Sequence, residues 1–274
     1  MVPFALRPLA ELLTGRQQAS VYPIAQVGLV PRRTVTIDGS PFELPEYFDN
    51  TTAIFRDLSA FKKRRPGLIS PMHRTTVCVH NTGAKFGTTS AARARWLKRS
   101  KGLEGEAASQ WAMMMALFER FWDVPYHYVG LSCGYVVKNQ PTHWYTYHGG
   151  LANRSSIGWS MEGSYPAFER SRSAKHTPMT ELVIETGRQS LRLAVLDARA
   201  QGCPIRFVQP HRCYARNRAA DPGEAIWKEI VLPVSHELGL VPDYSLHEGD
   251  GLPVPSSWDK DALYDDSGKP LRRT

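Results

Sequence analysis

At 274 residues, 42% hydrophobic and 22% charged, the chain is long enough to bury a sizeable core and too apolar for a disordered segment. No run approaches the roughly 18 apolar residues of a transmembrane helix. The opening Met1-Val-Pro-Phe-Ala-Leu-Arg-Pro-Leu-Ala10 lacks a basic segment followed by a long apolar run, so neither a membrane span nor a secretory leader is expected. A net charge of +8 favours anionic partners. With no recognised nucleic-acid module and no interleaving of basic and aromatic residues, nucleic acid is not expected among them.

Residues 1–70 are expected to form an irregular extension packed on the core. Prolines at 3, 8, 23, 31, 41 and 45 punctuate it, Thr34-Val-Thr-Ile-Asp-Gly39 reads as a strand and turn, and Lys62-Lys-Arg-Arg-Pro66 as a solvated linker. The core, residues 71–235, opens with the apolar strand Thr75-Thr-Val-Cys-Val79, which ends in His80. Helical periodicity is expected between Ser90 and Trp122, interrupted by the glycines at 102 and 105. Tyr126 to Val137 reads as two short strands around Leu-Ser-Cys-Gly, and Ile157 to Met161 as a third. Thr180 to Arg199 is an amphipathic helix with Thr177 or Thr180 as N-cap and Gly202 as its stop. Pro204 to Val208 is a strand leading to His211, and Glu224-Ala-Ile-Trp227 begins another helix. The alternation of strands and helices predicts an α/β fold, with a central mixed β-sheet flanked by helices. Residues 236–274, rich in Pro, Gly, Ser and Asp, are expected to be a loosely packed C-terminal arm. Cys78, Cys133, Cys203 and Cys213 form no Cys-x-x-Cys pair, so buried free thiols are expected.

The chemistry concentrates in Val208 to Trp227. His211 and Asp221 lie ten residues apart in an irregular loop closed by Asp221-Pro-Gly223. A neutral imidazole and a carboxylate are good zinc ligands, but two make a poor site. His80, at the end of a rigid strand, is the best third donor. Cys213 is a competing donor, and His143 and His148 form a further pair five residues apart. Three donors leave zinc an open fourth position, the catalytic pattern.

Val79-His-Asn-Thr-Gly83, Pro125-Tyr-His-Tyr128, Tyr147-His-Gly-Gly150, Ser156-Ile-Gly-Trp-Ser-Met-Glu-Gly163 and His211…Asp221-Pro-Gly223 follow one another in that order. Together they resemble the zinc-dependent N-acetylmuramoyl-L-alanine amidases, a family that includes phage endolysins and animal peptidoglycan recognition proteins. The similarity covers about residues 73–230. It implies the corresponding α/β fold, one Zn2+ on His80, His211 and Asp221, and hydrolysis of the amide joining N-acetylmuramic acid to L-alanine. It assigns His148, Asn153 and Ser160 to substrate binding. One branch of the family has a glutamate where this chain has Ser160, and the other a tyrosine where it has Tyr126; the chain matches the tyrosine type, with Glu162 as reserve base. His127, facing away from Tyr126, is expected to be structural. Relatives often carry a lysine where this chain has Ala219, so Arg218 becomes the candidate oxyanion donor. The implied partners are peptidoglycan or muropeptides and anionic cell-wall polymers. The implied setting is synthesis in the cytoplasm and action on the wall after release, as in an endolysin. A muropeptide-recycling amidase, an antibacterial effector and a non-catalytic peptidoglycan-binding protein are the alternatives.

Overall fold

The computed structural model describes strands at 33–37, 40–44 and 46–49 and residues 67–83, 126–132, 134–165, 176–245 and 247–271. The helical periodicity expected over 90–122, the basic cluster at 62–66 and Cys133 lie outside the described residues.

The central strands lack the alternation of a half-solvated sheet because both their faces are covered. β4 (Thr76–Asn81) is buried at every position before Asn81, and β7 (Ser156–Met161) at all positions. They pair in parallel, Cys78 opposite Gly158 and His80 opposite Ser160. β8 (Phe207–Pro210) runs parallel on the other side of β4, with Val79 opposite Pro210. β5 (Tyr128–Gly130) lies parallel to β7 and antiparallel to β6 (Tyr135–Lys138). β3 (Glu46–Asp49) and β9 (Val241–Pro242) form the edges of a seven-stranded sheet ordered β3-β6-β5-β7-β4-β8-β9. The sheet is thus mixed, as expected, and it draws strands from before residue 70 and after residue 235. The strand expected near residue 34 is β1 (Arg33–Ile37), paired with β2 (Ser40–Leu44) in a separate hairpin.

α1 (Glu181–Ala200) begins at Thr180, whose hydroxyl accepts the Val183 N–H, and the chain turns off at Gly202, φ 85°. Its inner face lies on β5, β6 and β7, where Ser190 accepts the Trp159 indole N–H at 2.8 Å. Gly187 allows close approach, since a Cβ there would stand 2.3 Å from Ile230 Cδ1. α2 (Glu224–Ile226), a π-helical stretch (Trp227–Val231) and α3 (Leu232–Leu238) run on without a gap. Pro233 explains the π stretch: it has no N–H to give the carbonyl four residues back and its ring crowds that carbonyl. That group, Glu229 C=O, instead accepts Arg188 Nε–H at 2.7 Å.

The C-terminal arm corrects the expectation of loose packing. Val254, Trp258 and Ala262 belong to the core cluster. Leu252 N–H donates to Arg212 C=O at 2.7 Å and Glu248 N–H to Cys213 C=O at 2.8 Å. Gly251 permits this approach, because a Cβ there would meet the Cys213 carbonyl oxygen at 2.1 Å. The segment packs through turns and single contacts, so it carries no periodic signal.

Asp197 on α1 holds the sheet from behind, pairing with Lys138 Nζ at 2.7 Å and accepting the Tyr128 hydroxyl. Asp197→Ala strands the Lys138 ammonium, whose side chain is only 13% exposed. The expected loss is about 3–5 kcal/mol of unfolding free energy, measured by urea denaturation.

Candidate metal centre

In a parallel sheet, ligands gather beyond the carboxyl ends of the strands. β4 ends at His80 and Asn81, and His211 follows directly on β8. Because Val79 sits opposite Pro210, the two histidines fall side by side on neighbouring strands, about 4.8 Å apart along the ladder. Their Nδ1 atoms are 3.0 Å apart. The loop after His211 returns Asp221, whose Oδ2 lies 3.0 Å from His211 Nδ1 and 3.8 Å from His80 Nδ1.

This triangle suits zinc. Bonds of about 2.0–2.2 Å place tetrahedral donors about 3.3–3.5 Å apart, and the observed edges bracket that spacing. The His80 side chain is fully buried, while those of His211 and Asp221 are each 12% exposed, so the cluster is reached from one side. A second group, Cys78, His80 and His148, also brings its donor atoms within 4.8 Å. It is sealed, with exposures of 0%, 0% and 3%. Burial, with Asp221 nearby, pushes the Cys78 thiol well up, which keeps it protonated and a poor ligand. Cys213 belongs to neither group: its thiol faces Gln209 Oε1 at 3.6 Å, and burial pushes it up to about 12.

The electrostatics keep the donors ready. Burial, reinforced by His211, lowers His80 to about 4, leaving it neutral at physiological pH. Burial opposes the Asp221 charge, yet the hydrogen bond with His211 and the nearness of His80 outweigh it and lower the carboxyl to about 2. Asn81 holds the other carboxylate oxygen: its backbone N–H donates to Asp221 Oδ1 at 2.8 Å and its side-chain amide to Pro222 C=O at 2.7 Å. Asn81 was legible only as part of a turn after the strand-end histidine. Arg212, 3% exposed, fastens the loop by donating to Ala219 C=O at 2.7 Å and to Asp266 C=O at 3.3 Å, with its guanidinium 4.9 Å from the Trp258 ring centroid.

Tyr126 joins the triad, its ring centroid 5.0 Å from that of His80. Burial and the Asp221 charge raise its phenol well above the usual range, so it keeps its proton at neutral pH. Arg218 is exposed, yet its charge reaches both His80 and Tyr126, lowering each. Ser160, cross-strand from His80, is fully buried. Glu162 is placed at the β5–β6 connection, its carboxylate accepting the Ser132 N–H at 3.3 Å. Asn153, 3% exposed, braces the turn after His148 by accepting the Gly149 N–H at 2.7 Å. His148, also 3% exposed, stands behind His80 with Nδ1 3.1 Å from His80 Nε2. His127 is structural, accepting the Gly158 N–H at 2.9 Å and facing Trp144 C=O at 3.2 Å.

Two outcomes are expected. His211→Ala and His80→Ala each abolish stoichiometric zinc uptake, read by elemental analysis. In metal-free protein, the unfolded chain binds a proton at His80 that the native state refuses between about pH 6.5 and about pH 4. Stability is therefore full above that window and falls as pH drops through it, with the lowered His127 and His148 adding to the slope. Urea denaturation of chelator-treated protein from about pH 7 to about pH 4 checks the sign.

No family model and no curated protein matches the chain. Among solved structures, it is similar to the endolysin N-acetylmuramoyl-L-alanine amidase LysCS from Clostridium intestinale URNW, at 11% identity and TM-score 0.38, over 72% of this chain and 98% of that one. The Ph2119 endolysin of Thermus scotoductus MAT2119 bacteriophage Ph2119 matches at 14% identity and TM-score 0.41, over 71% of this chain and 99% of that one. Drosophila PGRP-LB matches at 12% identity and TM-score 0.40, over 74% and 98% respectively.

Proposed function

We propose that the chain is a zinc-dependent amidase that cleaves the bond between N-acetylmuramic acid and L-alanine in peptidoglycan. The observation that carries the hydrolytic part is the His80–His211–Asp221 triangle, open on one side and flanked by Tyr126. The bond and substrate are what the resemblance of the ordered motifs between residues 79 and 223 to the amidase family implies. Zinc held by these donors supplies Lewis acidity and a water acidified to a pKa of roughly 7.

The remaining work falls to the chain. Attack on an amide builds negative charge on the carbonyl oxygen, and breaking the C–N bond requires a proton on the leaving nitrogen. Tyr126 holds a proton at neutral pH beside the triad, which suits it to donate to that charge and then to the amine. Arg218, whose charge is felt at His80 and Tyr126, supplies the positive donor that Ala219 cannot. The basic loop carrying Arg216 and Arg218 also suits an anionic wall. In an endolysin the substrate is the intact wall; in a recycling enzyme it is the soluble muropeptide.

Clearing of purified cell walls, abolished by chelator and restored by zinc, is the expected result. Hydrolysis of soluble muropeptide without wall clearing assigns the recycling role, and zinc uptake with neither activity overturns the enzyme. Tyr126→Phe keeps zinc and loses turnover by roughly 10²–10⁴. Arg218→Ala lowers turnover on soluble muropeptide by roughly a hundredfold at every ionic strength. A higher Michaelis constant with unchanged turnover instead makes Arg218 a wall-binding residue.

A further inference from the structure

His148 sits at the base of a column of hydrogen bonds whose directions can be worked out from its lower end. Its Nε2 lies 3.4 Å from both Ser156 C=O and Ser156 Oγ. The carbonyl can only accept. The hydroxyl spends its single hydrogen on Ala152 C=O at 2.7 Å, so it too can only accept from the ring. Nε2 of His148 therefore carries the hydrogen.

No carboxylate lies within hydrogen-bond reach of His148 among the described residues, so nothing there balances a second ring proton. Its Nδ1 presents a lone pair, 3.1 Å from His80 Nε2, and accepts from it. His80 is then the Nε2–H tautomer, and its Nδ1 lone pair is left facing His211 and Asp221. The fold makes room for this arrangement. A Cβ on Gly158 would stand 2.7 Å from His148 Cγ and 3.0 Å from its Cβ. Arg74, fully buried, also donates to Ser156 C=O and so fixes the carbonyl that starts the chain.

We propose that His148 is a positioning residue that sets the tautomer and orientation of His80, relaying the direction of the Ser156 carbonyl to the metal-facing nitrogen. The proposal rests on the metal reading of His80, His211 and Asp221, and it moves His148 from contact with substrate to support of a ligand. Partners of this kind are typically worth about 10–100-fold in metal affinity.

The test compares wild type, His148→Asn and His148→Phe by chelator competition for zinc and by long-range 15N–1H spectra of the histidine rings in metal-free protein. Asn places an oxygen acceptor where Nδ1 was, whereas Phe keeps the ring and removes both polar atoms. The expected result is an Nε2–H His80 in metal-free wild type, near-native zinc affinity in His148→Asn, and a loss of about 10–100-fold in His148→Phe. Gly158→Ala, which pushes the ring aside, should weaken zinc as His148→Phe does. A folded His148→Phe with wild-type zinc affinity overturns the proposal, as does a wild-type His80 protonated on Nδ1. Should His148→Phe fail to fold, the wild-type spectrum alone decides. If wild type takes up no zinc, the metal reading fails, and the spectra still decide the relay.

Discussion

The parallel pairing of β4 with β8, in a register that sets Val79 opposite Pro210, is the constraint on which the site depends. It puts two histidines that are 131 residues apart in the chain next to each other with nitrogens 3.0 Å apart. Slipping that register by one residue would turn one imidazole to the opposite face of the sheet. Such a slip would also exchange the side chains that Val77, Cys78 and Val79 present to two close-packed faces, so packing on both sides of β4 holds the register. The apolar core therefore specifies the polar site.

Once the histidines are placed, the remaining problem is a buried carboxylate. Burial alone would drive Asp221 to take up a proton, and it stays charged because each oxygen has its own partners. Oδ1 accepts from the backbone of Asn81, and Oδ2 faces the two imidazoles. That division leaves Oδ2 on the side of the two imidazole Nδ1 atoms, the arrangement a cation would need from its three donors. The same burial that threatens Asp221 keeps His80 neutral, so desolvation acts in favour of metal binding at one residue and against it at the next.

The loop from His211 to Asp221 has only short 3-10 turns, so its shape must come from outside. Arg212 supplies much of it, reaching Ala219 within the loop and Asp266 and Trp258 beyond. The C-terminal arm closes over the same loop through Glu248 and Leu252. It is a structural part of the candidate site although no residue of it enters the triad.

Much of this was legible in the chain itself. The strand-end His80, the His211–Asp221 loop, the capped helix at Thr180 and the structural His127 all follow from local patterns: an apolar run, a turn, an N-cap, a period of two. Those patterns depend on neighbours within one or two turns, which is why a single sequence carries them. Short Glu46–Asp49 and the aperiodic arm after residue 240 carry no such signal, and only pairing and packing show that they belong to the sheet and core. The direction in which His148 points, and the tautomer that follows, were likewise decided by tertiary structure. They depend on Gly158 leaving space and on Ser156 and His80 arriving from two different strands, and hydrogen-bond direction across 68 residues of chain has no local cause.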